Sequence, residues 1–183
     1  MLIESILISL AIGFLIRGKI SHLAGLDLQF PWIVMLALGL ELAAGVLQRK
    51  GIIPVAGTTP WLHLSVYVLL LAFIIANWQH DGIRVLGLGT LMNFLVICFN
   101  GGFMPVEVEV PFLMGFDAAS ENLRLGMVFG HKVMEGGDVL TVLGDIIHIP
   151  PPYPFPKTIS LGDVVIGIGM GMLIVPQMKK KES

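Results

Sequence analysis

"WLHLSVYVLLLAFIIANW", residues 61–78, is one long apolar run with a tryptophan at each end. Tryptophan favours the headgroup level of a bilayer, so the run is bracketed as a membrane helix would be. A spanning helix needs about 20 predominantly apolar residues at a rise of about 1.5 Å each. This stretch comes close to that length. The chain around it has the same character: of 183 residues, 55% are hydrophobic and 13% charged. Its mean hydropathy is +0.87. Soluble domains carry about 25% charged residues. The composition excludes an ordinary soluble core and implies an integral protein of the lipid bilayer.

Four further runs read as spans: Met1–Leu15, Phe30–Leu47, Ile83–Phe99 and Leu161–Met178. The first is short, and its charges, Arg17 and Lys19, follow the apolar run. A signal peptide has the opposite order, so a retained first helix is expected. Residues 1–99 thus read as transmembrane helices one to four. Residues 100–160 read as an extracytoplasmic cap, and 161–183 as the last helix with a basic tail. The expected fold is all-α, a five-helix transmembrane bundle with an extracytoplasmic loop segment between helices four and five. Lys179, Lys180 and Lys181 after the last span place the C-terminus in the cytoplasm, because basic residues gather on that side. Five crossings then put the N-terminus outside, in a multi-pass protein of the cell membrane. Arg17, Lys19 and Arg84 agree with that orientation, while Arg49 and Lys50 run against it.

The 100–160 segment holds most of the acidic residues. "GFDAASENLRLG" (115–126) predicts a short helix with Asp117 as N-cap, whose carboxylate can accept from free N–H groups. "VEVEV" (106–110) alternates with period two and predicts a short strand. "MEGGDV" (134–139) predicts a turn. Pro150, Pro151, Pro152, Pro154 and Pro156 predict an extended segment. In "FNGGFMPV" (99–106), Gly101 and Gly102 allow positive φ and Pro105 ends the helix. Asn100 there either caps the helix or binds a ligand.

Ionisable groups inside spans are costly and are functional candidates by default. Glu4, Glu41, His63 and Asp163, together with the amide Asn93, all fall in the outer halves of their spans. Glu41 sits roughly 10 Å from the outer end of its helix. Together they predict either an outward-facing polar site beneath the cap, with Glu41, Asn93, Asn100 and His63 as ligand-binding candidates, or a purely structural hydrogen-bond network. Asp145 and Asp163 each follow a glycine on either side of the proline-rich stretch. Two carboxylates within about 3–6 Å could share a proton and activate water, which makes them candidate catalytic residues. Each could equally cap a neighbouring element. The five histidines, His22, His63, His80, His131 and His148, lack metal-ligand spacing. No metal and no cofactor is expected, although His131, His148 and Asp145 share the cap. Net charge −2 gives no nucleic-acid footprint. Cys98 can form no internal disulfide and reads as a small core hydrophobe. Gly167 and Gly171 form a G-x-x-x-G step suited to close helix packing.

"NFLVICFNGGFMPV" (93–106), "LGDIIHIPPPYPFP" (143–156) and "SLGDVVIGIG" (160–169), in that order, resemble an uncharacterised bacterial membrane family, domain of unknown function 5317. The resemblance implies a bacterial cell membrane and carries no activity with it. "FPKTISLGDVVIGIGMGMLI" (155–174) is also similar to the last segment of lipoprotein signal peptidases, where an aspartate at the outer end of the final helix is catalytic. Asp163 occupies that position. That family's second aspartate lies in a G-N-x-x-D-R word that is absent here, so Asp145 would have to replace it. The leading expectation is a non-catalytic accessory or binding subunit whose outer face meets a membrane-protein partner or a lipid ligand. The alternatives are an aspartate-based membrane hydrolase and a small transporter.

Overall fold

The computed structural model describes residues 2–54, 57–109, 117–153 and 156–179. In chain order the helices are α1 (Leu2–Leu15), α2 (Trp32–Arg49), α3 (Thr58–Ala76), α4 (Asp81–Phe99), α5 (Asp117–Arg124) and α6 (Leu161–Lys179). The strands are β1 (Met104–Val106), β2 (His131–Val133), β3 (Asp145–Ile149) and β4 (Lys157–Ser160). Apolar runs of this length become helices because backbone polar groups in hydrocarbon must be satisfied within the segment. α2, α3, α4 and α6 are long and apolar enough to cross a membrane; α1 is a shorter apolar helix. Pro60 lies in the first turn of α3, where its missing N–H leaves no gap.

The long helices stand in an open row. α2 packs on α3, α3 on α4, α4 on α6, and α6 on α1. The α4–α6 contact is set by glycines seven residues apart on each helix. A Cβ at Gly169 would lie 2.4 Å from the Leu86 backbone nitrogen, and one at Gly89 would lie 2.4 Å from the Gly162 carbonyl. Gly82 meets Leu173 in the same way, at 2.6 Å. Small residues let helix backbones approach where no hydrophobic force drives them together. The G-x-x-x-G pair serves the other side of α6: Gly167 and Gly171 face Ser5 and Ser9 of α1.

Polar contacts of backbone and side chains tie the helix ends at two levels. At one end, the Lys19 N–H donates to the Met178 carbonyl at 2.9 Å. The Gln29 N–H donates to Asn77 Oδ1 at 2.7 Å, and Asn77 Nδ2 returns a bond to the Gln29 carbonyl. At the other end, Glu4 of α1 meets Tyr153 and Lys157, and Gln48 of α2 donates to the Gly126 carbonyl at 2.7 Å. The second level is the cap end.

There the structure corrects the all-α expectation. Residues 104–160 build a four-stranded mixed sheet in the order β2-β1-β3-β4. β1 runs parallel to β2 and β3, and β3 is antiparallel to β4. The strand expected at 106–110 lies earlier, at Met104–Val106, and only Val106 is shared. The strands are too short for alternation to register, and Pro105 in β1 argues against a central strand by ordinary rules. The proline-rich stretch, expected to be extended, falls between two strands that pair as a hairpin: Pro150, Pro151 and Pro152 follow β3, Pro156 precedes β4, and Pro154 lies outside the described residues. It contains a cis Pro151–Pro152 bond, and the Tyr153 N–H donates to the Pro150 carbonyl. The turn at 134–139 and the helix at 117–124 form as expected; the Asp117 side chain lies outside the described residues. Cys98 is exposed on α4, not packed in a core. No charge or shape in its run marks which face points outward.

Gly169→Val forces a branched side chain into the Leu86 backbone. We expect a loss of about 3 kcal/mol, measured as a lowered unfolding midpoint in neutral detergent. Gly39→Ala, at a site with open space around it, should stay within about 1 kcal/mol of the parent.

Candidate functional site

Asn93, Ser160 and Asp163 join α4, β4 and α6 in one network, Asn93 and Ser160 buried and Asp163 half-buried. Ser160 Oγ accepts the Asp163 N–H at 2.9 Å and donates to Asn93 Oδ1 at 2.9 Å. Asp163 returns the contact: its Oδ2 accepts the Ser160 N–H at 3.4 Å, and its Oδ1 accepts Asn93 Nδ2 at 3.2 Å. This is a capping box, in which Ser at the cap and an acidic residue three positions on satisfy each other's N–H groups. The carboxylate also lies at the positive end of the helix dipole. Asp163 therefore caps α6.

Asp145 does not cap. It opens β3, opposite Ser160 on β4 and Val106 on β1. It is 6% exposed. Its Oδ1 has no hydrogen-bond partner among the described residues, and its Oδ2 lies 3.7 Å from His131 Nε2. His131 Nδ1 donates to the Phe129 carbonyl at 2.7 Å, which turns the Nε2 edge of the ring toward Asp145. Burial and the Asp163 charge push the Asp145 carboxyl up to about 7, against the lowering effect of His131. At neutral pH this carboxyl is poised between its two forms.

The other expected residues divide. His63 on α3 is buried, donates through Nδ1 to the Gly102 carbonyl at 2.9 Å, and stands 6.1 Å from the His131 ring, centroid to centroid. Gly130, at φ +70°, lies against that ring: a Cβ there would come within 2.6 Å of it. Asn100 uses its amide on backbone. Nδ2 donates to the Val96 and Val139 carbonyls and Oδ1 accepts the Val139 N–H, which fastens the end of α4 to the cap. Glu41 on α2 is exposed and lies within electrostatic reach of His131 and Asp163. Glu4 stands apart, bound to the β3–β4 hairpin.

Tyr67 belongs to the cluster and was not visible as a site residue in the sequence. Its hydroxyl lies within hydrogen-bond reach of Asn93 and feels the charges of Asp163, Glu41 and Asp145. Helical spacing was the available signal: His63, Tyr67, Leu70 and Ile74 fall on one face of α3. The histidine–aspartate pairing of His131 depends on β1 lying between β2 and β3, which no local pattern encodes. Among the described residues no three His, Cys, Asp or Glu side chains converge on a metal-sized site.

Below the cluster the same faces turn apolar. A cleft of about 320 Å³ runs between α2, α3, α4 and α6, lined by residues including Val34, Phe73, Leu86, Ile166, Met170 and Leu173. Thr90, also in the lining, donates its hydroxyl to the Leu86 carbonyl. Asp163 lies one turn above Ile166, Asn93 one turn above Thr90, and Tyr67 one turn above Leu70. From Asp163 to Leu173 the wall measures roughly 15 Å. The arrangement is an apolar groove with a polar cluster one helical turn above its lining.

The raised Asp145 carboxyl fixes the sign of one pH effect. Unfolded, an aspartate ionises near pH 4; folded, this one holds its proton to about 7. The folded state therefore binds the extra proton, and stability falls as pH rises from about 4 to about 7, by about 3 kcal/mol, then levels off. Asp145→Asn should remove that slope and be the more stable form at pH 8. Unfolding midpoints in detergent between pH 4 and 8 measure the difference.

No solved structure matches the chain. An uncharacterized protein of Thermotoga maritima is 28% identical over 119 residues, covering 63% of this chain and 66% of that protein, just under two thirds of its length. A family model matches residues 25–175, a stretch that contains the four long helices and the sheet almost entirely. The resemblance read from Asn93 to Gly169 is thereby borne out, and the chain belongs to the family of unknown function DUF5317.

Proposed function

We propose that this is a multi-pass membrane protein that binds, without transforming, a single-chain amphiphile. Its headgroup sits at the Asn93–Asp163–Tyr67 cluster and its chain lies along the groove below. One observation carries the reading: Tyr67, Asn93 and Asp163 stand one turn above the cleft-lining residues Leu70, Thr90 and Ile166 on α3, α4 and α6. Ligand pockets run from about 300 to 1,000 Å³, and this cleft falls at the lower end. α1 serves as a fifth, short crossing. The cap and the N-terminus face outward and the C-terminus is cytoplasmic.

The exposed tryptophans support that placement. Trp61 near the cap end and Trp78 near the far end are 72% and 53% exposed, and about 25 Å of helix separates them. Lys179, Arg17, Lys19 and Arg84 lie toward the far end, as the cytoplasmic side requires.

The hydrolase reading draws on Asp145 and Asp163 acting on the same corner. It is weakened because both Asp163 oxygens are engaged by Ser160 and Asn93. The transporter reading finds no polar continuation, because among the described residues the groove lining below Thr90 is apolar.

Met170→Trp should fill the groove without touching the polar cluster. Native mass spectrometry from neutral detergent should show 1-dodecanol bound to the parent and at least tenfold less bound to the variant. Equal binding to both would sink the groove reading. In a Cys98→Ser background, Gly136→Cys should react with a membrane-impermeant maleimide on intact cells. Labelling only after lysis would reverse the orientation.

A further inference from the structure

The end of the bundle away from the cap gathers positive charge at one seam. α1 stops in a Schellman motif: the Gly18 N–H donates to the Gly13 carbonyl at 2.8 Å and the Arg17 N–H to the Phe14 carbonyl at 2.9 Å. The left-handed position of that motif usually goes to glycine, because a Cβ there crowds the backbone. Here Arg17 holds it, at φ +63°. The next two residues lie on the end of α6. A Cβ at Gly18 would come within 2.8 Å of the Met178 Cβ, and the Lys19 N–H donates to the Met178 carbonyl at 2.9 Å. His22, in the short 3-10 helix Ile20–Gly25, donates to the same carbonyl through Nδ1 at 2.9 Å. These contacts set Arg17 and Lys19 beside Lys179, on two helix ends joined backbone to backbone.

All three side chains are exposed. Among the described residues the Lys and Arg ion pairs belong to Arg84, Lys132 and Lys157. The acidic residues at this end, Asp27 and Asp81, stand by the α3–α4 connection, where the Asp27 carbonyl meets His80 and Asp81 pairs with Arg84. The seam is thus a cluster of three cations with no carboxylate of the described residues to balance it. Its border is apolar: Phe14, Leu15, Ile16 and Ile20 are exposed, Leu15 to 83%. Cations beside an apolar belt match a molecule whose phosphate sits above its own hydrocarbon chains. A guanidinium can engage two phosphate oxygens at once. A zwitterionic headgroup brings a cation of its own and gains less.

We propose that the seam where α1 meets the end of α6 binds the phosphate of an anionic membrane phospholipid through Arg17, Lys19 and Lys179, at a site separate from the cleft.

The test titrates dioleoylphosphatidylglycerol and dioleoylphosphatidylcholine against the purified full chain in neutral detergent at constant ionic strength, read by native mass spectrometry. A cation near an anionic surface contributes about fivefold, so the glycerol lipid should bind about tenfold or more above the choline lipid. Lys19→Gln with Lys179→Gln should remove most of that preference, while Arg49→Gln with Lys50→Gln, at the cap end, should leave it intact. Arg17→Gly should cut the preference about fivefold and raise the unfolding midpoint, because glycine relieves the left-handed position. Equal binding of the two lipids overturns the proposal. A preference that survives loss of Lys19 and Lys179, or that falls as far on loss of Arg49 and Lys50, overturns it as attraction to basic groups elsewhere. Displacement of the lipid by inorganic phosphate would replace the lipid with a free anion. An Arg17→Gly protein that is less stable and binds lipid unchanged would leave Arg17 acting only on the helix dipole and overturn its place in the site. If that variant fails to fold, the Lys19 and Lys179 pair, both exposed, carries the test.

Discussion

The close approach of α4 and α6 is the constraint on which the rest depends. Backbone meets backbone at Gly82, Gly89, Gly162 and Gly169, so neither helix can shift without steric conflict. That contact brings Asn93 against the first turn of α6, where its amide can serve both Ser160 and Asp163. Ser160 ends β4, and β4 holds β3 in register. The position of Asp145 is therefore set, through three hydrogen-bonded steps, by glycines buried in the helix pair. The polar cluster is the top of a rigid joint.

Much of this was legible in the chain, and the limits have physical causes. The long helices are visible because hydrocarbon imposes a minimum length and a composition, both of which are local properties. Bracketing tryptophans and flanking basic residues mark their ends for the same reason. The polar residues of the spans were found because a costly group stands out in an apolar run: Asn93 meets Asp163, His63 stands beside His131, and Glu41 lies within electrostatic reach of His131 and Asp163. Glu4 shares their depth but not their company, since depth says nothing about which face of a helix is turned inward. Tyr67 escaped notice because a tyrosine in a membrane run is ordinary; only its neighbours make it a site residue.

The sheet was the larger omission. Strands of three to five residues are shorter than any window in which alternation can be counted. Two of the three pairings join distant residues in parallel, which leaves no hairpin signal. Proline misled once, where the run at 150–156 suggested an extended segment and β3 and β4 instead pair as a hairpin. The two Gly-Asp words looked alike in sequence yet serve differently. Asp163 faces free N–H groups at a helix start, whereas Asp145 faces a histidine across a strand. The distinction lies in what stands opposite each residue, which is a property of topology.

The helices form a row and not a closed ring, which divides the molecule unequally. α1 touches the long helices through α6, on the side away from the cleft, and its Glu4 fastens to the hairpin loop. The four helices around the cleft and nearly all of the cap lie within residues 25–175, the stretch the family shares; α1 precedes it. A ring would have to reopen to admit another member. An open row can gain or lose a stave at its edge while the cavity within it keeps its shape.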